Sequence, residues 1–82
     1  MLESSIRPRL EALQDVQKVV GRNIKAIRCK KGVTQDQLAE LAGLNRVHLY
    51  RVETGRQSMT LRTLKIIADA LDVKMRDLIG NL

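Results

Sequence analysis

Two arginines, Arg46 and Arg51, stand five residues apart in a short segment where Leu49 and Val52 repeat at one-turn helical spacing. If this segment is a helix with Leu49 and Val52 turned inward, both guanidinium groups face solvent. A guanidinium group presents a planar fork of N–H donors that matches the O6 and N7 acceptors of guanine, and it also binds phosphate. Each arginine is therefore a candidate for reading a base edge, with phosphate contact as the alternative.

The residues beside the two arginines extend this pattern. Val47 is placed to pack on a thymine methyl group or, alternatively, against Leu44. Tyr50 is the only aromatic residue of the chain, and its hydroxyl is a candidate phosphate donor, with packing against Arg46 as the alternative. His48 is the only histidine and has no partner for metal or acid–base chemistry, which leaves a backbone contact or simple solvation.

The elements that would position these side chains are two short helices joined by a tight turn. Thr34 and Gln37 have the spacing of a capping box, which predicts that helix 2 begins after Thr34. Gly43 is expected to end helix 2, Asn45 to cap helix 3 over residues 46 to about 54, and Gly55 to close helix 3. So short a linker makes the two helices cross steeply. The residues predicted to face the core from helix 2 are Leu38, Ala39, Leu41 and Ala42.

Three further helices are predicted around this pair. Helix 1 is expected over about residues 16–31 and to end at Gly32. Helix 4 is expected to begin after a Thr60 cap, and a short last turn covers residues 75–79 behind Lys74, a poor cap. The apolar stripe predicted for helix 4 is Leu61, Leu64, Ile67, Ala68 and Leu71.

Residues 1–15 form an extension whose conformation has two interpretations. Pro8 is expected to break any helix begun at Ser4, while it fits the first turn of a helix begun near Arg7. Residues 9–13 are then either helical or part of a mobile arm. An amphipathic stripe at helical spacing favours the helix: Leu2, Ile6, Leu10 and Leu13.

Composition fixes the class of partner more clearly than the class of reaction. The 82 residues include 15 basic and 9 acidic side chains, for a net charge of +6, which indicates a polyanionic partner. Residues 1–31 hold eight basic and three acidic groups, whereas residues 32–58 balance at three each. Nonspecific attraction is therefore expected mainly from the N-terminal third.

Several classes of protein are disfavoured by the same sequence. Cys29 is the only cysteine, so no internal disulfide forms, and no Cys/His cluster has metal-ligand spacing. Carboxylates do not converge on a histidine or a nucleophile, so neither an enzyme nor a cofactor is indicated. No apolar run approaches the length of a membrane span, and no signal peptide is evident, which predicts a cytoplasmic protein.

A set of residues at fixed spacings carries a family resemblance: Gln35, Leu38, Ala39, Gly43, Leu49, Glu53 and Gly55. Over about residues 20–79 the chain resembles the Xre/Cro-type helix-turn-helix family of phage repressors and small bacterial regulators. In size it is similar to the controller proteins of restriction–modification systems. The resemblance implies an all-α, five-helix domain over residues 16–82, with helix 3 in the major groove of DNA and helix 2 across the backbone. Met59, Lys74 and residues 1–15 depart from the family pattern.

The resemblance also implies roles for individual residues. Arg28 and Glu53 match positions that form an ion pair between helix 1 and the end of helix 3. Gln35 stands in the first turn of helix 2, where a phosphate contact is expected. The alternative for Gln35 is an ordinary residue at the start of a helix, and the alternative for Arg56 and Arg62 is a solvated surface charge. The residues expected to contact the DNA backbone are Gln35, Asn45, Tyr50, Arg56 and Arg62.

One recognition helix covers only about four or five base pairs, so we expect a homodimer that reads two half-sites about 34 Å apart. The expected interface is a C-terminal set of apolar residues: Met59, Met75, Ile79 and Leu82. The N-terminal apolar stripe is the alternative interface.

The function expected is sequence-specific regulation of transcription without a small-molecule effector. The alternative is an antitoxin that holds a toxin protein, with residues 1–15 as the partner-binding segment.

Overall fold

The computed structural model describes the backbone of residues 2–80 and the side chains of residues 15–80. Over residues 2–80 the chain forms helices and turns, without a strand, as the all-α prediction requires. In chain order the helices are α1 (Leu2–Lys30), α2 (Gln35–Ala42), α3 (Arg46–Glu53), α4 (Leu61–Ala70) and α5 (Met75–Ile79).

The core lies where these helices meet. α1 packs against α3 and α5, α2 packs against α3 and α4, and α4 packs against α5. Each helix contributes at least one fully or almost fully buried aliphatic side chain, so the helices enclose a single aliphatic core. The largest side chains with almost no exposed surface are Ile24, Leu38, Leu49, Ile67, Leu78 and Val52.

Four helices end in the same way. Gly32, Gly43 and Gly55 have φ values of +72°, +65° and +72°, and Asp72 takes the same left-handed conformation at +56°. In each case the next residue donates its N–H back across the last turn, as Val33 does to the Arg28 carbonyl at 3.0 Å. This arrangement satisfies carbonyls that the helix leaves unpaired. The three glycines were predicted from the sequence, whereas Asp72 was not.

The end of α5 is held by a side chain on α1. Lys74 offers no acceptor, but the Asp77 carboxylate accepts the Lys74 N–H at 3.0 Å. Asn23 donates from Nδ2 to the Leu78 carbonyl at 2.9 Å and to the Gly80 carbonyl at 2.8 Å. The C-terminal turn, which begins behind the poor cap Lys74, is therefore tied to α1.

The N-terminal helix is longer than the sequence predicted. α1 begins at Leu2 rather than near residue 16 and crosses the boundary proposed between residues 15 and 16. It also continues through Pro8, so the expectation that Pro8 ends a helix begun at Ser4 is wrong. Proline removes the N–H that would donate to the Ser4 carbonyl, but the flanking residues keep helical backbone. The side chains of the Leu2, Ile6, Leu10 and Leu13 stripe lie outside the described residues.

Two leucines predicted to face the core are instead exposed. Leu41 is 64% exposed and Leu61 is 77% exposed. At 100° per residue, Leu41 lies roughly 105° from the centre of the buried arc of α2, and Leu61 roughly 70° from that of α4. Leu61 also stands in the first turn of its helix. Neither residue can reach the core, so both remain on the surface.

Gly21 lies where α1 crosses the end of α3. A Cβ atom at this position would meet the carbonyl oxygen of Val52 and would lie 2.7 Å from the carbonyl oxygen of Glu53. These are backbone atoms, which cannot move aside without displacing α3. Glycine is needed here for close approach of two helices, in spite of its poor helix propensity.

Replacing Gly21 with alanine should destabilise the domain by about 1–3 kcal/mol, because overpacking forces α1 away from α3. On helix propensity alone the same change would stabilise it by about 1 kcal/mol. Urea unfolding of Gly21→Ala would measure the difference. Lys25→Ala, at an exposed position of the same helix, is the control and should be nearly neutral. A more stable Gly21→Ala protein would contradict the assigned close approach.

Candidate nucleic-acid interface

α2 and α3 form a helix-turn-helix unit with hydrogen-bonded ends. Thr34 Oγ1 accepts the Gln37 N–H at 3.1 Å, and the Gln37 side chain accepts the Thr34 N–H at 2.9 Å. Gly43 ends α2, and Asn45 Oδ1 accepts the Val47 N–H at 2.8 Å at the start of α3. The capping box, the glycine and the asparagine cap agree with the sequence prediction, and together they fix the angle at which α3 leaves α2.

α3 has a buried face and an exposed face. Leu49 and Val52 have no exposed surface, and Glu53 is also buried. The remaining large side chains face solvent, including the two arginines predicted to read bases. The exposed set on α3 is Arg46, Val47, Tyr50 and Arg51.

The buried face of α3 ends in a network centred on Glu53. Arg28 Nε donates to Glu53 Oε2 at 2.7 Å, and Arg28 Nη2 donates to Oε1 at 3.0 Å. Arg28 Nη1 also donates to the Val33 carbonyl at 2.9 Å. Gln35 Nε2 donates to Glu53 Oε1 at 3.0 Å. One carboxylate therefore connects α1, the start of α2 and the end of α3.

The ion pair fixes the charge state of Arg28. Its hydrogen bonds to Glu53 raise the pKa of the guanidinium, and this effect exceeds the opposing effect of desolvation. Because the pKa is raised by folding, the pair stabilises the folded chain at every pH below the ordinary pKa of an arginine side chain. That contribution is lost only as the pH rises through the raised value, in strongly alkaline solution.

Gln35 has a contact that sequence reasoning did not foresee. The expectation was a phosphate contact from its side chain or from the amides around it. The side chain is half-buried and donates one amide hydrogen to Glu53. Gln35 is thus held at the N-terminus of α2, where free backbone N–H groups and the helix dipole favour an anion.

Arg46 also has an unforeseen neighbour. Its Nε lies 3.2 Å from Oδ1 of Asp36, in the first turn of α2. No salt bridge joins Arg51 to any other residue in the range 15–80. The two arginines of the exposed face therefore differ in whether a carboxylate lies beside the guanidinium group.

A shallow hollow brings together four of the predicted residues. Its lining consists of Gln35, Arg46, Val47 and Tyr50. Val47 is 55% exposed, which leaves its methyl groups accessible in spite of any packing against Leu44. Within the described residues the Tyr50 hydroxyl has no hydrogen-bond partner.

The other predicted contacts lie around this hollow. Arg56 follows Gly55, and its N–H donates to the Arg51 carbonyl at 2.9 Å, which places it directly after α3. Arg62 is exposed in the first turn of α4. Asn45 is exposed but uses Oδ1 to cap α3, and His48 is half-buried. Within residues 15–80, no salt bridge joins Arg56 or Arg62 to a residue that lines the hollow.

Neither a metal-binding cluster nor a membrane-spanning helix is found among the described residues. Among these residues no group of three or more His, Cys, Asp or Glu side chains could hold a metal ion. None of the described helices has the length and apolar character needed to cross a membrane. Cys29 is exposed and unpaired with any other cysteine.

The fold and this exposed face define a helix-turn-helix DNA-binding domain. Residues 24–78 match the family model described as helix-turn-helix (HTH_3), and the chain belongs to that family. The family is one of DNA-binding regulators of transcription and is not a family of enzymes.

Named relatives agree with this placement. Over 62 residues, 76% of this chain and 43% of the relative, it is 43% identical to the immunity repressor protein of Bacillus phage phi105. Over 65 residues, 79% of this chain and 77% of the relative, it is 34% identical to control protein C.SmaI of Serratia marcescens. The chain thus spans less than half the length of the phage repressor.

A solved structure shows the same fold. The crystal structure of the restriction–modification controller protein C.AhdI from Aeromonas hydrophila superposes with a TM-score of 0.74 at 36% identity. The match covers 78% of this chain and 96% of C.AhdI. The resemblance to repressors and controller proteins, read from residues such as Gln35 and Gly43, is therefore confirmed.

Replacing Glu53 with alanine should destabilise the domain by about 3–5 kcal/mol, because the Arg28 guanidinium is then buried without a counter-charge. DNA binding should fall only to the extent that the protein unfolds. The double change Arg28→Met with Glu53→Leu leaves no uncompensated charge and should cost less than Glu53→Ala alone. Urea unfolding of the three proteins measures this order. Wild-type stability in Glu53→Ala would contradict a structural role for the pair.

Proposed function

We propose that the chain binds a pseudo-palindromic DNA operator as a homodimer, with α3 of each copy in the major groove. The observation that carries this proposal is the exposed face of α3. It presents two guanidinium groups, one valine and one tyrosine on a helix whose opposite face is fully buried.

The residues of this face divide by the chemistry of their side chains. Arg46 and Arg51 have the donor fork that pairs with guanine O6 and N7, and Val47 has accessible methyl groups for a thymine. These contacts would give sequence preference. Each well-formed bidentate contact contributes about 1–3 kcal/mol of discrimination against the wrong base.

A second group would hold the DNA backbone and set the position of α3. Gln35 and the free amides of α2 suit a phosphate at a helix N-terminus. Tyr50 is exposed, and its hydroxyl has no hydrogen-bond partner among the described residues, so it is free to donate to a phosphate. Arg56 and Arg62 are also exposed and would bind phosphate through their guanidinium groups. Asn45 would contribute through its amide Nδ2, since Oδ1 caps α3.

Selection of binding sites from random DNA would test the proposal. The wild-type protein should enrich a pseudo-palindrome whose half-sites are centred about 34 Å apart. Arg51→Ala should relax preference at one base position in each half-site. Arg56→Ala should weaken binding to all sequences about equally, because it removes a phosphate contact.

A salt series on the selected site supplies the physical control. The logarithm of the affinity should fall by about 0.9 for each phosphate neutralised per tenfold rise in salt, and Arg56→Ala should reduce that slope by about 1. Failure to enrich any sequence would overturn specific readout. An unchanged salt slope in Arg56→Ala would remove Arg56 from the backbone contacts.

The homodimer rests on an apolar groove formed by α1, α4 and the end of α5. Val16, Met59, Leu61 and Ile79 line this groove, whose volume is about 280 Å³. Exposed apolar side chains gathered on one face favour association with another surface. Leu61, which was assigned to the core from the sequence, thus joins the proposed interface.

The interface set expected from the sequence fits this groove in part. Met59 and Ile79 line it, whereas Met75 is half-buried against the core and is absent from its lining. Leu82 lies outside the described residues. We propose a second copy of the chain as the occupant, because two copies of α3 are needed to read a complete operator.

Leu61→Glu should convert the dimer to a monomer, because a charge would be buried where two apolar surfaces meet. Sedimentation equilibrium measures the change. Leu41→Glu is the matched control: it introduces the same side chain at an exposed leucine outside the groove and should leave the dimer intact. A Leu61→Glu protein that dimerises like the wild type would exclude this face as the interface.

A further inference from the structure

An acidic residue stands beside the arginine at the start of α3. Asp36 Oδ1, in the first turn of α2, lies 3.2 Å from Nε of Arg46, the first residue of α3. The two side chains are 70% and 66% exposed. A carboxylate on a surface that faces a polyanion weakens general attraction to it. The dipole of α2 favours a carboxylate in its first turn, and the contact with Arg46 offers Asp36 a second role.

The geometry of the contact leaves the reading edge of Arg46 free. The closest approach of the carboxylate is to Nε, the guanidinium nitrogen nearest the backbone, and this contact is an ion pair without a hydrogen bond. The two terminal nitrogens, Nη1 and Nη2, have no hydrogen-bond partner among the described residues. They form the outer edge that would pair with two acceptors on a base. Asp36 thus restrains the group without occupying the donors that the base needs.

Such a restraint matters because an arginine side chain is flexible. Freezing a long side chain opposes binding, and a side chain already held in its bound geometry loses less freedom when it meets a base. In water an exposed ion pair is weak. In a groove from which water is excluded, the same pair is stronger, and it holds the guanidinium plane more firmly.

We propose that Asp36 is a positioning residue for base recognition by Arg46. It restricts the position of the guanidinium group by charge attraction while Nη1 and Nη2 stay free to meet a base edge, and it exchanges general affinity for sequence preference. This inference rests on the proposed function, since it requires Arg46 to read a base. Arg51 lacks such a partner in the described range and reads its position from a less restrained side chain.

Removing the carboxylate should have opposite effects on the two kinds of binding. Asp36→Ala should raise affinity for random DNA, because one negative charge leaves the interface. It should also lower the preference for the base pair read by Arg46 by about threefold to tenfold. A loss of folded structure would instead weaken both kinds of binding and both base positions together.

Glu40→Ala is the matched control. Glu40 is exposed on the same helix one turn further along, and no salt bridge joins it to Arg46. Its replacement changes the net charge by the same amount. It should raise affinity for random DNA in the same way and leave every base preference unchanged.

The experiment compares binding-site selections for the wild type, Asp36→Ala, Glu40→Ala, Arg46→Ala and the double variant Asp36→Ala with Arg46→Ala. Arg46→Ala identifies the base position that Arg46 reads. The proposal is supported if Asp36→Ala weakens the base preference at that position alone. The double variant should then show the same base preferences as Arg46→Ala. Preference at the position read by Arg51 should stay at its wild-type value.

The remaining outcomes separate the two proposals. Should the wild type select no sequence, the proposed function fails and this inference fails with it. Should Arg46→Ala relax a position while Asp36→Ala leaves it unchanged or sharpens it, only the role of Asp36 is overturned. Equal relaxation at the positions of Arg46 and Arg51 would also overturn it, because it would show a general effect on α3.

Discussion

The Glu53 carboxylate is the point on which the geometry of this domain depends. It accepts hydrogen bonds from Arg28 on α1 and from Gln35 at the start of α2, while itself closing α3. Buried charge is costly, and here each carboxylate oxygen has a donor at 3.0 Å or less. The same residue therefore holds the end of α3 against α1 and against the first turn of α2. No apolar substitute could connect three helices in this way.

Much of this fold could be read from the sequence, because its helix ends are marked by local chemistry. Thr34, Gln37, Gly43 and Asn45 determine the helix-turn-helix unit within a dozen residues, and each acts through hydrogen bonds to nearby backbone. The inward positions of Leu49 and Val52 follow from helical spacing alone. Features that depend only on neighbours in sequence are the ones that a pattern can predict.

The features that the sequence did not predict depend on contacts between helices. Leu61 repeats at the right spacing for the core, yet it is the first residue of α4 and its side chain lies exposed beyond the core. Gly21 gave no sign of its role, which exists only because the backbone of α3 passes so close. Asp36 and Arg46 are ten residues apart, and their contact required the crossing angle of α2 and α3 to be known. Exposure of the Arg46 and Arg51 side chains was predictable, whereas their unequal restraint was not.

The Asn23 side chain has a consequence for the distance between two recognition helices. By binding the carbonyls of Leu78 and Gly80, it sets the position of the end of α5 relative to α1, and α1 in turn packs on α3. In the proposed dimer, built on the groove beside Ile79, the contact surface and the surface proposed to read DNA therefore belong to the same packed domain. The separation of the two copies of α3 would be a fixed length, set by side-chain hydrogen bonds rather than by a flexible connection. A fixed separation would make the protein discriminate among operators by the spacing of their half-sites as well as by their base sequence.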